Sequence, residues 1–488
     1  MLHCCIFLCG AALMIIELTG SRILAPFFGT SLVVWTSLIG IILSCLSLGA
    51  WWGGVIADRR PDARILGRII LLSAWATSAI GLSKTWVLEF LQGMGNLHIL
   101  AVTATLILFA PAAVLLGMVT PFAVRLCLRD PEYAGRTSGG LYAVSTIGSI
   151  AGTFIAGFVL IAWLGNTAII LATAALLAFA ALLLEPSHRL LKAISLVAFL
   201  LMILLSRYQD LKLAGLGFID KDTPYNRVLV YAKEDYQTGR LIREMVTGPG
   251  GRQSAMFLDD VTDLAVAYTR FYRLVEYYQP AMRNMLVLGG GGYSFPKYAL
   301  KHYPNVTVDV VELDPGITEL ARNHFGLVDD SRLKVIEEDA RTFLWSLQKS
   351  STRYDVILCD VFTSHYSIPF HMVTREAATL MKEALNPHGV ILVNVLASLE
   401  GKSSHFYKTL YATYAEVFDH IDLYAVQDPS NSHRRQNIII VAGNGLVQPQ
   451  AVSDEIQKML AHVIRKPQDG FPPFTDEFAP VDRYLTEM

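Results

Sequence analysis

Charge is scarce in this 488-residue chain: 17% of its residues are Asp, Glu, Lys or Arg, against about 25% in an ordinary soluble domain. Together with an apolar content of 53%, that shortage excludes a single soluble globule. No excess of one sign is present either, since 40 basic and 42 acidic residues leave a net charge of −2. The basic footprint of a nucleic-acid binder and the acidic tail of a solvating segment are both missing, so no nucleic-acid partner is expected. Cysteine is sparse as well, with six residues and no CxxC pair. Cys4, Cys5, Cys9 and Cys45 lie in apolar runs, Cys127 follows one and Cys359 ends an apolar strand, so they read as small apolar residues and no metal is expected. The first residues lack the basic region and small-residue cleavage site of a signal peptide, and the first apolar run is expected to be a retained span.

What is present is unevenly distributed. Residues 1–206 hold nearly all the long uncharged runs, whereas 207–488 have the composition of a globular domain. A crossing needs about 20 mostly apolar residues. Seven segments qualify, at about 3–24, 32–57, 65–84, 97–122, 138–163, 167–184 and 190–206; the seventh is short enough to lie in the interface instead. Gly49 and Gly53, and Gly148 and Gly152, recur at the spacing that lets helix backbones approach closely. Arg59, Arg60, Arg64 and Arg68, then Arg125, Arg129 and Arg136, then Arg189 and Lys192, mark three loops as cytoplasmic. Seven crossings put the soluble half outside, whereas a nucleoside substrate is a cytosolic molecule; an interfacial seventh segment removes that conflict. Glu17, inside the first run, is either a functional intramembrane acid or the partner of a basic residue such as Arg22.

Residues 207–222 read as a linker. Three strands follow, in NRVLVYAKED, RLIREMVTG and QSAMFLDD, forming a small antiparallel sheet; with the helical stretch at about 261–280 they make a subdomain over 223–280. From 281 to 488 the pattern changes to apolar runs, MLVLGGGG, VTVDVVELD, LKVIEED, YDVILCD and GVILVNV, separated by amphipathic segments. That is a parallel sheet with helices on both faces, closed by an antiparallel edge near 420–426 and 436–442. Ligands in such sheets bind beyond the carboxyl ends of the strands, where the informative residues fall. Gly289, Gly290, Gly291 and Gly292 end the first strand. Glu312 ends the second, 23 residues after Gly289, near the spacing of about 20 at which an acid takes ribose hydroxyls. Asp339 follows the third strand and Asp360 ends the fourth. Three carboxylates behind a Gly-rich turn, with no basic clamp for phosphate, point to a nucleoside such as an S-adenosyl compound.

At these residues the chain resembles the spermidine synthase family of aminopropyltransferases, and most closely its membrane-fused bacterial group. The resemblance runs from Thr223 to about 445, and GAALMIIELTGSRILAPFFG is similar to the fused group's first span. It implies an α-helical transmembrane bundle of about seven spans, then a Rossmann-like domain of the class I methyltransferase type with a small N-terminal β subdomain. It also implies a multi-pass place in the bacterial inner membrane and a role in polyamine biosynthesis. In TPYNR, Asn226 stands where the family carries a nucleoside-contacting Gln. Tyr268 in AYTRF matches the diamine-contacting Tyr, and its Gln or His neighbour is Thr269. Glu312 in VVELDP matches the ribose-binding Glu, Asp339 and Ala340 in EEDAR the pair beside the adenine, and Asp360 in YDVILCD the catalytic proton acceptor. The family's GGGDG reads GGGGY, so Gly292 replaces the acid that holds the aminopropyl amine. Its DxxDP reads DVFTS, so Thr363 replaces the second diamine-binding Asp. Ser364 and His365 follow, either replacing the lost acceptor contacts or packing as a lid, and the acidic group Asp259, Asp260 and Asp263 is either substitute charge or a solvated loop.

The resemblance implies no tightly bound cofactor, with decarboxylated S-adenosylmethionine as co-substrate and an amine such as putrescine as acceptor. Two readings compete: a methyltransferase using intact S-adenosylmethionine, and a non-catalytic protein that senses or transports a polyamine or nucleoside. The expected partners are the lipid bilayer, a small amine and a sulfonium nucleoside, with self-association into a homo-oligomer left open.

Overall fold

The computed structural model describes the chain except residues 30, 92–96, 129, 185–188, 216, 248–250, 362–367, 446–451, 469 and 487–488. It divides into two units, Met1–Arg227 and Val228–Met488.

In the first unit six helices are long and apolar enough to cross a membrane: α1 (Leu2–Phe28), α2 (Leu32–Arg59), α3 (Ala63–Leu91), α4 (Leu97–Cys127), α5 (Pro131–Trp163) and α6 (Asn166–Leu184). The seventh expected segment belongs to a longer helix, α7 (Arg189–Gly215), in which the run Val197–Ser206 is apolar. About seven spans therefore become six by length and composition, with α7 beside them. Residues 207–222, expected as a linker, hold the last turns of α7 and a short strand, β1 (Ile219–Asp222).

Both glycine pairs do what their spacing predicts. A Cβ on Gly148 would lie 2.1 Å from the carbonyl oxygen of Phe7, and one on Gly152 2.4 Å from that of Ala11, so α1 and α5 touch backbone to backbone. Gly49 meets Val114 in the same way, at 2.1 Å, joining α2 to α4. Such close approach is the packing available to helices in lipid, where burial from water no longer drives association.

The second unit opens on three antiparallel strands, β2 (Arg227–Glu234, its first residue in the first unit), β3 (Leu241–Val246) and β4 (Arg252–Phe257). A short helix, α8 (Ala267–Phe271), and two further turns reach Tyr278. Next come β5 (Asn284–Leu288), α9 (Ser294–His302), β6 (Thr307–Val311), α10 (Pro315–His324), β7 (Leu333–Ile336), α11 (Ala340–Leu347), β8 (Tyr354–Cys359), α12 (Arg375–Ala384), β9 (Leu385–Ala397), α13 (His405–Ala415), β10 (His420–Ala425) and β11 (Gln436–Gly443). The sheet order is β10-β11-β9-β8-β5-β6-β7, with β11 antiparallel to both neighbours. This is the expected α/β fold of the class I methyltransferase type. Strand order reverses between β5 and β8, which opens a crevice above their carboxyl ends. Beneath it the buried apolar faces of β5, β8, β9 and β11 pack against α11, α12 and α13.

Candidate active site

The glycine run after β5 brings three backbone segments together. Gly289 has φ +94°, and a Cβ there would stand 2.3 Å from the carbonyl oxygen of Asp360; only glycine allows the turn and the close approach at once. Asp360 in turn donates its N–H to the Leu288 carbonyl at 2.9 Å, which locks the ends of β5 and β8 together. The next two N–H groups, of Gly290 and Gly291, point at Glu312 Oε2 at 2.8 and 3.2 Å, while Asp314 N–H reaches Oε1 at 2.9 Å. Glu312 is therefore aimed by backbone alone. Burial still pushes its carboxyl above the ordinary value, outweighing the three donors. These loop amides are already satisfied by a carboxylate, so they do not form the phosphate cradle of a dinucleotide fold. With about four acceptor sites on a carboxylate, Glu312 retains capacity for a neutral hydroxyl donor.

Asp360 is built differently. Its Oδ1 accepts the Asn394 amide at 3.1 Å. Asn394, buried on β9, is oriented by Asn437 on β11, whose Nδ2 donates to Asn394 Oδ1 at 2.9 Å and so turns the Asn394 NH2 toward the carboxylate. Tyr268 and Tyr272, one helical turn apart, meet edge to face at 5.7 Å between ring centroids, and both hydroxyls act on Asp360. Burial raises the Asp360 carboxyl, while Asn394, Tyr268 and Tyr272 hold it lower than burial alone would. The Tyr272 hydroxyl is buried with no partner in hydrogen-bond geometry among the described residues. Sequence reading missed Asn394 and Tyr272. The available signals were a polar residue interrupting the apolar GVILVNV run and a second tyrosine at i+4 from Tyr268.

Asp339 caps α11, its Oδ1 accepting Thr342 N–H at 3.0 Å; Oδ2 lies 3.4 Å from His371 Nε2. His371 is held there because Arg341 donates to its carbonyl at 2.8 Å. Ala340 is buried behind Asp339. Thr269 Oγ1 donates to the Val266 carbonyl at 2.7 Å, so its proton is already committed. Asn226 belongs to the first unit and closes a turn with Thr223, donating its N–H to Thr223 Oγ1 at 2.8 Å. Thr363, Ser364 and His365 lie outside the described residues.

A Cβ on Gly292 would meet Ser254 Oγ at 2.4 Å and Phe325 at 3.2 Å, so a side chain there requires Ser254 to shift. Tyr293 follows with φ +53°, the one non-glycine residue at positive φ among those described. Its fully buried ring fills the space in front of Gly290, and its hydroxyl bonds Thr318 at 2.8 Å. The acidic group in the loop after β4 is a paired surface cluster. Arg240 binds Asp259 and Asp263 at 2.7 and 2.6 Å, and Lys301 binds Asp260 at 3.0 Å. Among the described residues no cluster of three or more His, Cys, Asp or Glu could hold a metal.

Residues 271–448 match the family model of the spermine/spermidine synthase domain. A polyamine aminopropyltransferase of Vibrio vulnificus (strain CMCP6) is 26% identical over 237 residues, which cover 48% of this chain and 75% of that protein. Another, of Corynebacterium efficiens, is 23% identical over 415 residues, 79% of this chain and 75% of its own, a share too large for the soluble unit alone. The eEF1A lysine and N-terminal methyltransferase of Homo sapiens is 32% identical over 120 residues, covering 23% of this chain and 17% of that protein.

Proposed function

With a soluble half that belongs to the spermine/spermidine synthase family, the chain is an aminopropyltransferase, and we propose that it works membrane-bound, on decarboxylated S-adenosylmethionine and a small amine such as putrescine. The observation that carries this reading is Asp360, a half-buried carboxylate at the crevice, raised by burial and flanked by Tyr268, Tyr272 and Asn394. An alkyl amine has a pKa near 10.4, about that of lysine, and arrives protonated. A carboxylate attracts and positions that cation, then takes a proton as the neutral nitrogen attacks. The new N–C bond forms as the C–S bond of the sulfonium breaks, and the electron pair stays on sulfur to give neutral methylthioadenosine. Holding nitrogen and methylene in line accounts for much of the acceleration, since positioning alone is worth roughly 7–11 kcal/mol.

In this reading Glu312 takes the ribose hydroxyls, Asp339 and Ala340 flank the adenine, and the glycines at 289–291 let the nucleoside lie against the backbone. Tyr268 orients the amine, with Thr269, Thr363, Ser364 and His365 on the acceptor side. Tyr272 is added to this set because its buried hydroxyl acts on Asp360.

One observation favours a second reading, methyl transfer from intact S-adenosylmethionine. Position 292, where the family holds the aminopropyl ammonium with an acid, is packed against Ser254, and a methyl donor has no such requirement. The purified full chain, incubated separately with each sulfonium donor and a panel of amines, separates the two by mass spectrometry of the released nucleoside. Methylthioadenosine is the expected product. S-adenosylhomocysteine from the intact donor alone overturns the proposal in favour of methyl transfer.

A further inference from the structure

The path of α7 decides on which side of the membrane the chain leaves the bundle. Side-chain and backbone contacts order the helix ends into two sets. Cys5, near the start of α1, donates its thiol to Ala180, near the end of α6, at 3.2 Å. A Cβ on Gly81, in the second half of α3, would lie 3.5 Å from the side chain of Ile170 near the start of α6. The parallel contacts of Phe7 with Gly148 and Ala11 with Gly152 place the far ends of α1 and α5 together, and there Arg22 donates to the Ile161 carbonyl at 3.3 Å. One end of the bundle thus holds the start of α1 with the α2–α3, α4–α5 and α6–α7 connections. The opposite end holds the α1–α2, α3–α4 and α5–α6 connections.

Residues after α7 return to that opposite end. The Asp222 carboxylate, at the close of β1, accepts the N–H of Asn166 at the first residue of α6, at 2.9 Å. Arg22 donates to the carbonyl of Thr223, one residue on. Since α6 ends at Leu184 and α7 begins at Arg189, the chain covers the whole length of α6 again between 189 and 222. At about 1.5 Å per residue, the 27 residues of α7 span roughly 40 Å, more than the hydrocarbon core of about 30 Å. On the way α7 is pinned mid-bundle: Trp75 of α3 donates to Ser195 at 3.2 Å and meets the ring of Phe199 at 5.1 Å. Ile194, Val197, Leu200, Leu201, Leu204 and Leu205 are exposed along it, the surface a helix presents to lipid. By geometry, then, α7 is a seventh crossing, although its apolar run is short.

Basic residues are concentrated at the first end, while Arg22, Lys84 and, after the apolar run of α7, Arg207, Lys212 and Lys221 lie toward the other. Arg59, Arg60, Arg64, Arg68, Arg125, Arg129, Arg136, Arg189 and Lys192 all fall in or beside the three connections of the first end, and stretches 23–58, 85–124 and 137–188 contain no Lys or Arg. Short loops rich in Lys and Arg stay in the cytoplasm. We infer that the chain enters its soluble unit on the extracytoplasmic side of the membrane. If the site there transfers an aminopropyl group, a consequence resting on the proposed function, its sulfonium nucleoside must be supplied by an export step that carries a cytosolic nucleoside outward.

Two engineered cysteines test the orientation in the full chain without reference to turnover. Tyr236, almost fully exposed in the soluble unit, becomes Tyr236→Cys, and the exposed Glu132, in the basic α4–α5 connection, becomes Glu132→Cys. Spheroplasts are treated with a membrane-impermeant maleimide before and after lysis, and the unsubstituted chain sets the background. The expected result is Tyr236→Cys labelled in intact spheroplasts and Glu132→Cys labelled only after lysis. Protection of Tyr236→Cys until lysis overturns the inference, as does labelling of Glu132→Cys in intact spheroplasts.

Discussion

At the end of the site proposed to take the nucleoside Glu312 is fixed by three backbone N–H groups, whereas at the end proposed to take the amine Asp360 is flanked by side chains from α8, β9 and the turn after α8. The first arrangement follows from the course of the main chain around a glycine turn and survives side-chain substitution nearby. The second depends on which residues occupy a few positions, and those can change while the fold stands. Two departures from the spermidine synthase pattern, Gly292 for an acid and Thr363 for another, fall where that family contacts amines, and a third, Asn226 for Gln, falls where it contacts the nucleoside.

The largest expected effect comes from Asp360→Asn, which keeps the shape and removes the proton acceptor. Turnover should fall by about 10²–10⁴-fold with little change in nucleoside affinity; a rate within a few-fold of the parent shows that proton transfer does not run through the amine end. Glu312→Gln is its counterpart. It should weaken nucleoside binding, read by calorimetry, by about 10- to 100-fold, since a hydrogen bond to a charged group is worth roughly 1.5–3 kcal/mol, and leave the amine KM in place. An amine KM that rises equally would erase the division between the two ends.

Stability gives a smaller effect. Gly292→Ala should lower the unfolding free energy of the soluble unit by about 1–3 kcal/mol, the usual cost of overpacking, because Ser254 Oγ lies 2.4 Å from the added carbon. Restoring the family's acid therefore needs a second change, and Gly292→Asp with Ser254→Gly should lower the KM for the aminopropyl donor where Gly292→Asp alone does not. The smallest effect is expected from Tyr272→Phe. This hydroxyl helps hold the Asp360 carboxyl down against burial, so its removal raises that group further and the acid limb of the pH–rate profile moves to higher pH. An unmoved limb with an altered rate marks Tyr272 as packing only.

Much of the architecture was legible because it is written in local pattern. The membrane runs, the strand alternation and the glycine pairs each occupy a short window, and burial, backbone pairing or close helix approach acts on that window directly. The same holds for Gly289 and Glu312, since a strand end fixes where a residue sits in an open α/β sheet. The acidic group at 259–263 was less legible, because its neutralisation by Arg240 and Lys301 comes from the turn before β3 and from α9, distant in sequence. Residues 207–222 looked like a linker because their charge conceals a helix that continues to Gly215.

By itself the sequence determined two halves of opposite character, a doubly wound sheet and three carboxylates at successive strand ends. Tertiary structure alone decided that Asn437 turns the Asn394 amide toward Asp360, that Ser254 fills the place of a missing acid, and that Asp222 returns to the first residue of α6. The physical reason is range. Periodicity and composition record what each segment does with solvent, lipid or its own backbone. The orientation of a buried amide, the filling of a cavity and the end at which a chain leaves a bundle are set by partners that only the folded chain brings within a few ångströms.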